Sequence, residues 1–355
     1  MNNIKFLNKI QSYEGGASSI PGKKTVIKLS SNESPFGPSP NVVSKIKEVI
    51  NKTNRYPDGN YEKLRFALSK KFNLPIKNLF CGNGSDEILG LVCQLFLKKG
   101  DEVVIPKSSF LMFEIYTKIN GGVVKNSLEK NYHVLVDDII KKTSSKTKMI
   151  FIAQPNNPTG FFLNSKDLRK LISIVPKKII IVIDAAYAEY ITDNDYTTGI
   201  NFAKKQKNVI VTRTFSKIYG VASLRLGWCY AHQDIIKLIN KIRGPFNVNH
   251  VAQEAGIAAL KERKYELKLI KHNKIWLKKM KRELSDLPIK VYDSKANFLL
   301  LNVGKNVKKL NKFLLSKSII IRTLEKYNMH DCIRVSIGKT SENKKFLSSI
   351  NSFFK

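Results

Sequence analysis

Up to Gly244-Pro245, short apolar runs rich in β-branched residues alternate with longer segments whose apolar positions recur at helical spacing. That alternation predicts an α/β fold built on a mainly parallel sheet. Residues 102–105, 148–153, 179–183, 208–212 and 226–230 read as strands. A further strand-like piece leads through Gly82-Asn83-Gly84-Ser85 into an apolar-periodic helix over 88–97. Polar residues stand just beyond three of the strands: Asn157 in QPNNPTG, Asp184 in IVIDAAYAEY, and Ser216 with Lys217 in TFSK. Open α/β sheets bind ligands beyond the carboxyl ends of their strands, so a site is expected there.

After Gly244-Pro245 the pattern changes to a long helical stretch in which Ile270, Leu277 and Leu284 recur at heptad spacing, with Lys and Arg between them. It is read as a surface helix packed on its own domain through that stripe. Strand-like segments at 298–303, 319–322 and 333–337, with a helical run over 307–316, predict a smaller α+β domain. The expected division is an arm over 1–27 that joins the small domain, a large domain over 28–245, and the small domain over 246–355. No internal repeat or low-complexity tract interrupts this order.

The length of 355 residues exceeds what one hydrophobic core usually supports, in keeping with two domains. The 62 Lys and Arg against 28 Asp and Glu give a net charge of +34, which raises the question of nucleic acid. The basic residues are spread over the whole length, in a chain rich in Lys, Asn and Ile throughout. A composition bias therefore explains the charge, and no nucleic-acid partner is expected, although the field should steer small anions. Cys81, Cys93, Cys229 and Cys332 lie far apart, so neither a metal site nor a disulfide framework is expected. The opening MNNIKFLNKI lacks the apolar core of a signal peptide, and no run approaches the ~20 apolar residues that span a bilayer. A cytoplasmic protein with no membrane partner is the expectation.

An amide, an acid, a phenol, a hydroxyl, a lysine and an arginine follow one another as Asn157, Asp184, Tyr187, Ser216, Lys217 and Arg225. Pyridoxal phosphate chemistry needs a lysine to hold the aldehyde as a Schiff base and a carboxylate to keep the ring nitrogen protonated. Lys217 and Asp184 fit those needs. Asn157 and Tyr187 can donate to the ring oxygen. Gly84, Ser85 and Asp86 open a helix whose N-terminus suits the phosphate, with Ser216 and Arg225 completing the cup. Phe110 is the candidate to stack on the ring. Each has a plainer reading alone: a solvated lysine, a capping aspartate, an Asn-Pro turn, a core phenylalanine. Their joint order at strand ends favours the site.

These residues carry a resemblance that runs nearly end to end. It includes KLSSNESPFGPSP, NRYPDG, CGNGSDE, QPNNPTG, DAAYAEY, RTFSKIYGVASLRLG, RGPFNVN, KANFLLL, IIIRTL and CIRVSIG. The chain resembles the aspartate aminotransferase-like, fold type I pyridoxal phosphate enzymes, and within them the histidinol-phosphate aminotransferase branch. The resemblance implies Lys217 as the Schiff-base lysine, Asp184 at the ring nitrogen, and Tyr187 and Asn157 at the ring oxygen. Ser85, Asp86, Ser216 and Arg225 would surround the phosphate, which Tyr56 of the partner subunit would also reach, so a homodimer is implied. On the substrate side it implies Arg334 for the carboxylate of glutamate or 2-oxoglutarate, with Arg322, Tyr13 and Asn32 helping to hold histidinol phosphate. Aromatic amino acid aminotransferases and threonine-phosphate decarboxylases share the cofactor residues and stay open as alternatives. Three positions depart from the branch: Phe110 where tyrosine is frequent, Ser34 where asparagine is usual, and Gly15-Gly16 where Pro-Gly is common.

Overall fold

The computed structural model describes residue 8 and residues 10–355; positions 1–7 and 9 of the expected arm lie outside the described residues. Its centre is a seven-stranded sheet. Across it run Leu79–Asn83, Leu226–Tyr230, Val209–Thr214, Ile180–Asp184, Thr147–Ala153, Glu102–Pro106 and Val123–Ser127. Leu226–Tyr230 alone is antiparallel to its two neighbours, and the remaining pairings are parallel. The central strands are continuous runs of buried Ile, Val, Phe and Met because helices cover both faces, which is why they read as unbroken apolar runs. Val123–Ser127 escaped the sequence reading. As an edge strand with Val123 and Asn126 exposed and Lys125 half-buried, it carries no such run.

A second sheet is antiparallel, in the order Lys290–Val291, Phe298–Asn302, Cys332–Ser336 and Arg322–Thr323. The helices Val307–Ser316 and Thr340–Phe354 pack with it around a separate apolar core that includes Leu299, Leu310, Val335 and Phe346. The expected single strand over 319–322 is two. Ile319–Ile320 pairs in parallel with Ile27–Lys28, whereas Arg322–Thr323 joins the antiparallel sheet. The chain changes sheet at Ile321, and the apolar run IIIR hides the change because all three isoleucines are buried.

Helix Arg263–Glu283 spans the two cores, with Leu269 in the larger, and Trp276 and Met280 in the smaller. Its buried line is Leu269, Asn273, Trp276 and Met280, continued by Leu284 beyond its end. The expected stripe of Ile270 and Leu277 is only half-buried at the edge of that line. A straight helix repeats every 3.6 residues, so spacings of four, three and four follow its buried face better than a strict seven.

Candidate active site

The strand ends meet the second sheet at a cleft of about 350 Å³ lined by residues from every part of the chain. Parallel strands deliver Asn157, Asp184, Ser216 and Lys217 to one edge of the sheet. The antiparallel strand Leu226–Tyr230 begins where its neighbours end, and so brings Arg225, the residue before it, to the same edge. Arg225 adopts the left-handed conformation at φ 54°. Its Nη1 donates to Ala222 O (3.2 Å) and Ser216 Oγ (3.5 Å).

Helix Gly84–Phe96 starts beside it with no side chain capping its first turn. Gly84 has φ 82°, and a Cβ there would overlap Arg225 Nη2, while a Cβ on Gly227 would overlap the backbone N of Ser85. Only glycines let the antiparallel strand and the arginine approach this helix end. Free first-turn N–H groups, the positive end of the helix and a guanidinium make a seat for a multiply charged anion. Asp86, in the first turn, has one buried oxygen without a partner, and burial pushes its carboxyl up despite Arg225 and Lys217 nearby.

The floor of the cleft holds two groups perturbed in opposite directions. Asp184 is buried, accepts from Thr212 Oγ1 (2.7 Å), and is raised to about 6 by burial, with Asp86 adding to the rise. Lys217 donates to Ser31 O (3.1 Å) and lies 5.6 Å from the Tyr187 ring centroid. Burial, followed by the Arg334 guanidinium, lowers its amine to about 8. An amine of lowered basicity beside a buried carboxylate can attack a carbonyl and shuttle a proton, while the carboxylate holds a cation.

Asn157 sits in a loop whose neighbours fix it. Asn156 Nδ2 donates to Ser108 O (2.6 Å), and Gln154 Nε2 donates to Leu163 O (2.6 Å). Arg334 Nη1 donates to Asn157 Oδ1 and Nη2 to Ser30 O (2.7 Å). Arg322 Nη2 donates to Glu14 O (2.6 Å), tying the chain around Tyr13 across the mouth, where Tyr13 meets Phe110 edge-on at 6.4 Å.

Tyr13, Asn32, Ser85, Asp86, Phe110 and Tyr187 thus share one cleft with Asn157, Asp184, Ser216, Lys217, Arg225, Arg322 and Arg334. Tyr56 does not join them. It is 83% exposed and stacks on Phe246 with ring centroids 4.5 Å apart. The sequence reading missed Thr212, Ser31 and Ser336, which bond Asp184, Lys217 and Asn32 respectively. Thr212 lies opposite Asp184 in the register of paired strands, so knowing the strand order would have exposed it. Nothing local marks the other two. The described residues contain no cluster of three or more His, Cys, Asp or Glu able to hold a metal, and no helix long and apolar enough to cross a membrane.

Residues 24–350 match the family described as aminotransferase class I and II. A histidinol-phosphate aminotransferase of Pelagibacter ubique is 45% identical over 98% of this chain and 97% of its own length. That of Paramagnetospirillum magneticum is 38% identical over 97% and 96%. The crystal structure of the histidinol-phosphate aminotransferase of Sinorhizobium meliloti, in complex with pyridoxal-5'-phosphate, superposes with a TM-score of 0.88 at 25% identity. That superposition covers 94% of this chain and 92% of the other.

Proposed function

Because the chain belongs to the aminotransferase class I and II family, we propose that it is a pyridoxal phosphate-dependent transaminase of histidine biosynthesis. It interconverts L-histidinol phosphate and 2-oxoglutarate with imidazole acetol phosphate and L-glutamate. The observation that carries the reading is the placement of Lys217 and buried Asp184 in one cleft beside a helix N-terminus and the Arg225 guanidinium.

The residues present fit the cofactor at each of its charged points. When bound, pyridoxal phosphate supplies an aldehyde for amines and a protonated pyridine that withdraws electrons from the reacting carbon. Asp184, still mainly ionised at neutral pH, holds the ring N–H and its charge. Ser85, Asp86, Ser216 and Arg225 surround the phosphate: the helix N–H groups, the Ser216 hydroxyl and the guanidinium donate to it. Asn157 and Tyr187 donate to the ring oxygen, and Phe110 packs on the ring face.

Lys217 holds and moves the proton of the substrate carbon. At pH 7 an amine of pKa about 8 is neutral in about one molecule in ten, against about one in three thousand at its ordinary 10.5. Arg334 lines the cleft and has N–H donors beyond the two bonded to Asn157 and Ser30, which suits its guanidinium to the carboxylate of glutamate. Arg322, Tyr13 and Asn32 complete the substrate end, and Tyr56 of the partner subunit reaches the cofactor phosphate in a cytoplasmic homodimer.

The test is an absorption spectrum of the protein loaded with pyridoxal phosphate, before and after histidinol phosphate is added. The visible band should convert to that of the amine form, and 2-oxoglutarate should restore it. A higher kcat/KM for phenylalanine or threonine phosphate than for histidinol phosphate would overturn the substrate assignment.

A further inference from the structure

The amide of Asn32 is held from several sides by buried groups. Its backbone N–H donates to Ser336 Oγ (2.8 Å), the same hydroxyl donates to Asn32 Oδ1 (3.1 Å), and Asn32 Nδ2 donates to the Tyr187 oxygen (3.0 Å). Asn297 Nδ2 donates to the Asn32 carbonyl (3.0 Å). Asn32 takes the left-handed conformation at φ 56°, which asparagine tolerates, and both Asn32 and Ser336 are buried.

One proton decides which way this amide faces. A serine hydroxyl has a single proton to give. The Asn32 N–H already donates to Ser336 Oγ, so the serine proton goes to Asn32 Oδ1. Rotating the amide would bring two donors onto Ser336 and leave its buried proton unpaired. It would also present an oxygen to Tyr187, which would then turn its own proton onto Asn32. With the amide as held, Tyr187 accepts from Asn32, and its proton is left for the cleft that it lines. Burial raises the phenol well above its ordinary range, so that proton is present throughout the neutral region. Arg334 stands two residues before Ser336 on the same strand, and so on the same face. By bonding Asn157 Oδ1 it leaves the Nδ2 donors of Asn157 for the cleft in the same manner.

We propose that Ser336 is a positioning residue: through Asn32 it fixes the direction of the Tyr187 proton, and thereby the second hydrogen bond to the cofactor ring oxygen. The inference rests on the reading that Tyr187 donates to that oxygen. It assigns to a strand of the second sheet the orientation of a phenol carried by the first.

Each variant is loaded with pyridoxal phosphate and its absorption is titrated against pH. In Ser336→Ala the ring oxygen loses a donor and holds the proton it shares with Lys217 more tightly, so the midpoint should rise by about one unit. Ser336→Thr keeps the hydroxyl and should return the wild-type midpoint. A folded, loaded Ser336→Ala with the wild-type midpoint overturns the proposal, even if its melting temperature is lower, because lost packing alone does not move the titration. Ser336→Thr shifting as far as Ser336→Ala overturns it equally. Should Ser336→Ala fail to fold, Asn32→Asp carries the test: its carboxylate has no proton for Tyr187, and an unchanged midpoint there refutes the idea. Wild-type protein that develops no visible band removes the cofactor reading itself, a result distinct from a band whose midpoint does not respond to Ser336.

Discussion

Asp184 has a carboxylate where the fold alone would favour a neutral group. Its pKa rises from 3.8 to about 6 in the folded chain, so between those values the native state binds more protons than the unfolded one. Stability of the cofactor-free protein therefore falls as pH rises through that window, by up to about 3 kcal/mol. Asp184→Asn removes this term. Cofactor-free Asp184→Asn should melt above wild type at pH 7, with the gap narrowing to roughly half at pH 5, while its affinity for pyridoxal phosphate drops because no charge opposes the ring cation. Calorimetric scans at the two pH values check the first half, and a lower melting temperature for the variant at pH 7 contradicts it. The identities of Asp184 and Lys217 were legible from the order of residues along the chain. Their pKa values were not, because these depend on burial and on Asp86, Arg334 and Thr212, which lie far away in sequence.

At the scale of elements, the anion seat depends on how closely a strand and a helix approach. Gly84 and Gly227 make room for Arg225 and the Ser85 backbone, and Gly84 also needs a positive φ. Gly84→Ala should weaken binding of pyridoxal phosphate roughly tenfold or more by displacing the guanidinium, yet leave pyridoxal, which lacks the phosphate, nearly unaffected. Fluorescence titration with the two ligands reads the difference, and equal losses for both would place the damage outside the anion seat. The string GNGSDE before an apolar helical run announced the turn and the helix. It did not announce that the strand alongside would be the one antiparallel member of its sheet, which is what brings Arg225 there. Strand direction is set by pairing across the sheet, and a single apolar run contains no sign of it. Helix Arg263–Glu283 shows the same limit: its period was plain in the sequence, but the buried line was decided by two cores that only the folded chain brings against it.

For the whole molecule, the exposed stack of Tyr56 on Phe246 matters most, since Tyr56 lies outside its own chain's cleft. If it completes the site of a second subunit, two defective variants should repair each other. Co-expressed Lys217→Ala and Tyr56→Ala chains would pair at random, and one site in each mixed dimer would have both residues, giving about a quarter of wild-type activity. Activity no higher than that of Tyr56→Ala alone would argue for separate sites. The sequence by itself determined the alternation of strands and helices, the residues carried at the strand ends, and the family, because these follow from local periodicity and from short strings of contiguous residues. The tertiary structure decided strand order, the split of the 319–322 run between two sheets, and the contacts of Lys217 with Ser31, Asp184 with Thr212, and Asn32 with Ser336. Those contacts join residues as far as 304 positions apart. Hydrogen-bond direction and desolvation act over a few ångströms of space, whatever the distance along the chain, and so they exist only once the chain has folded.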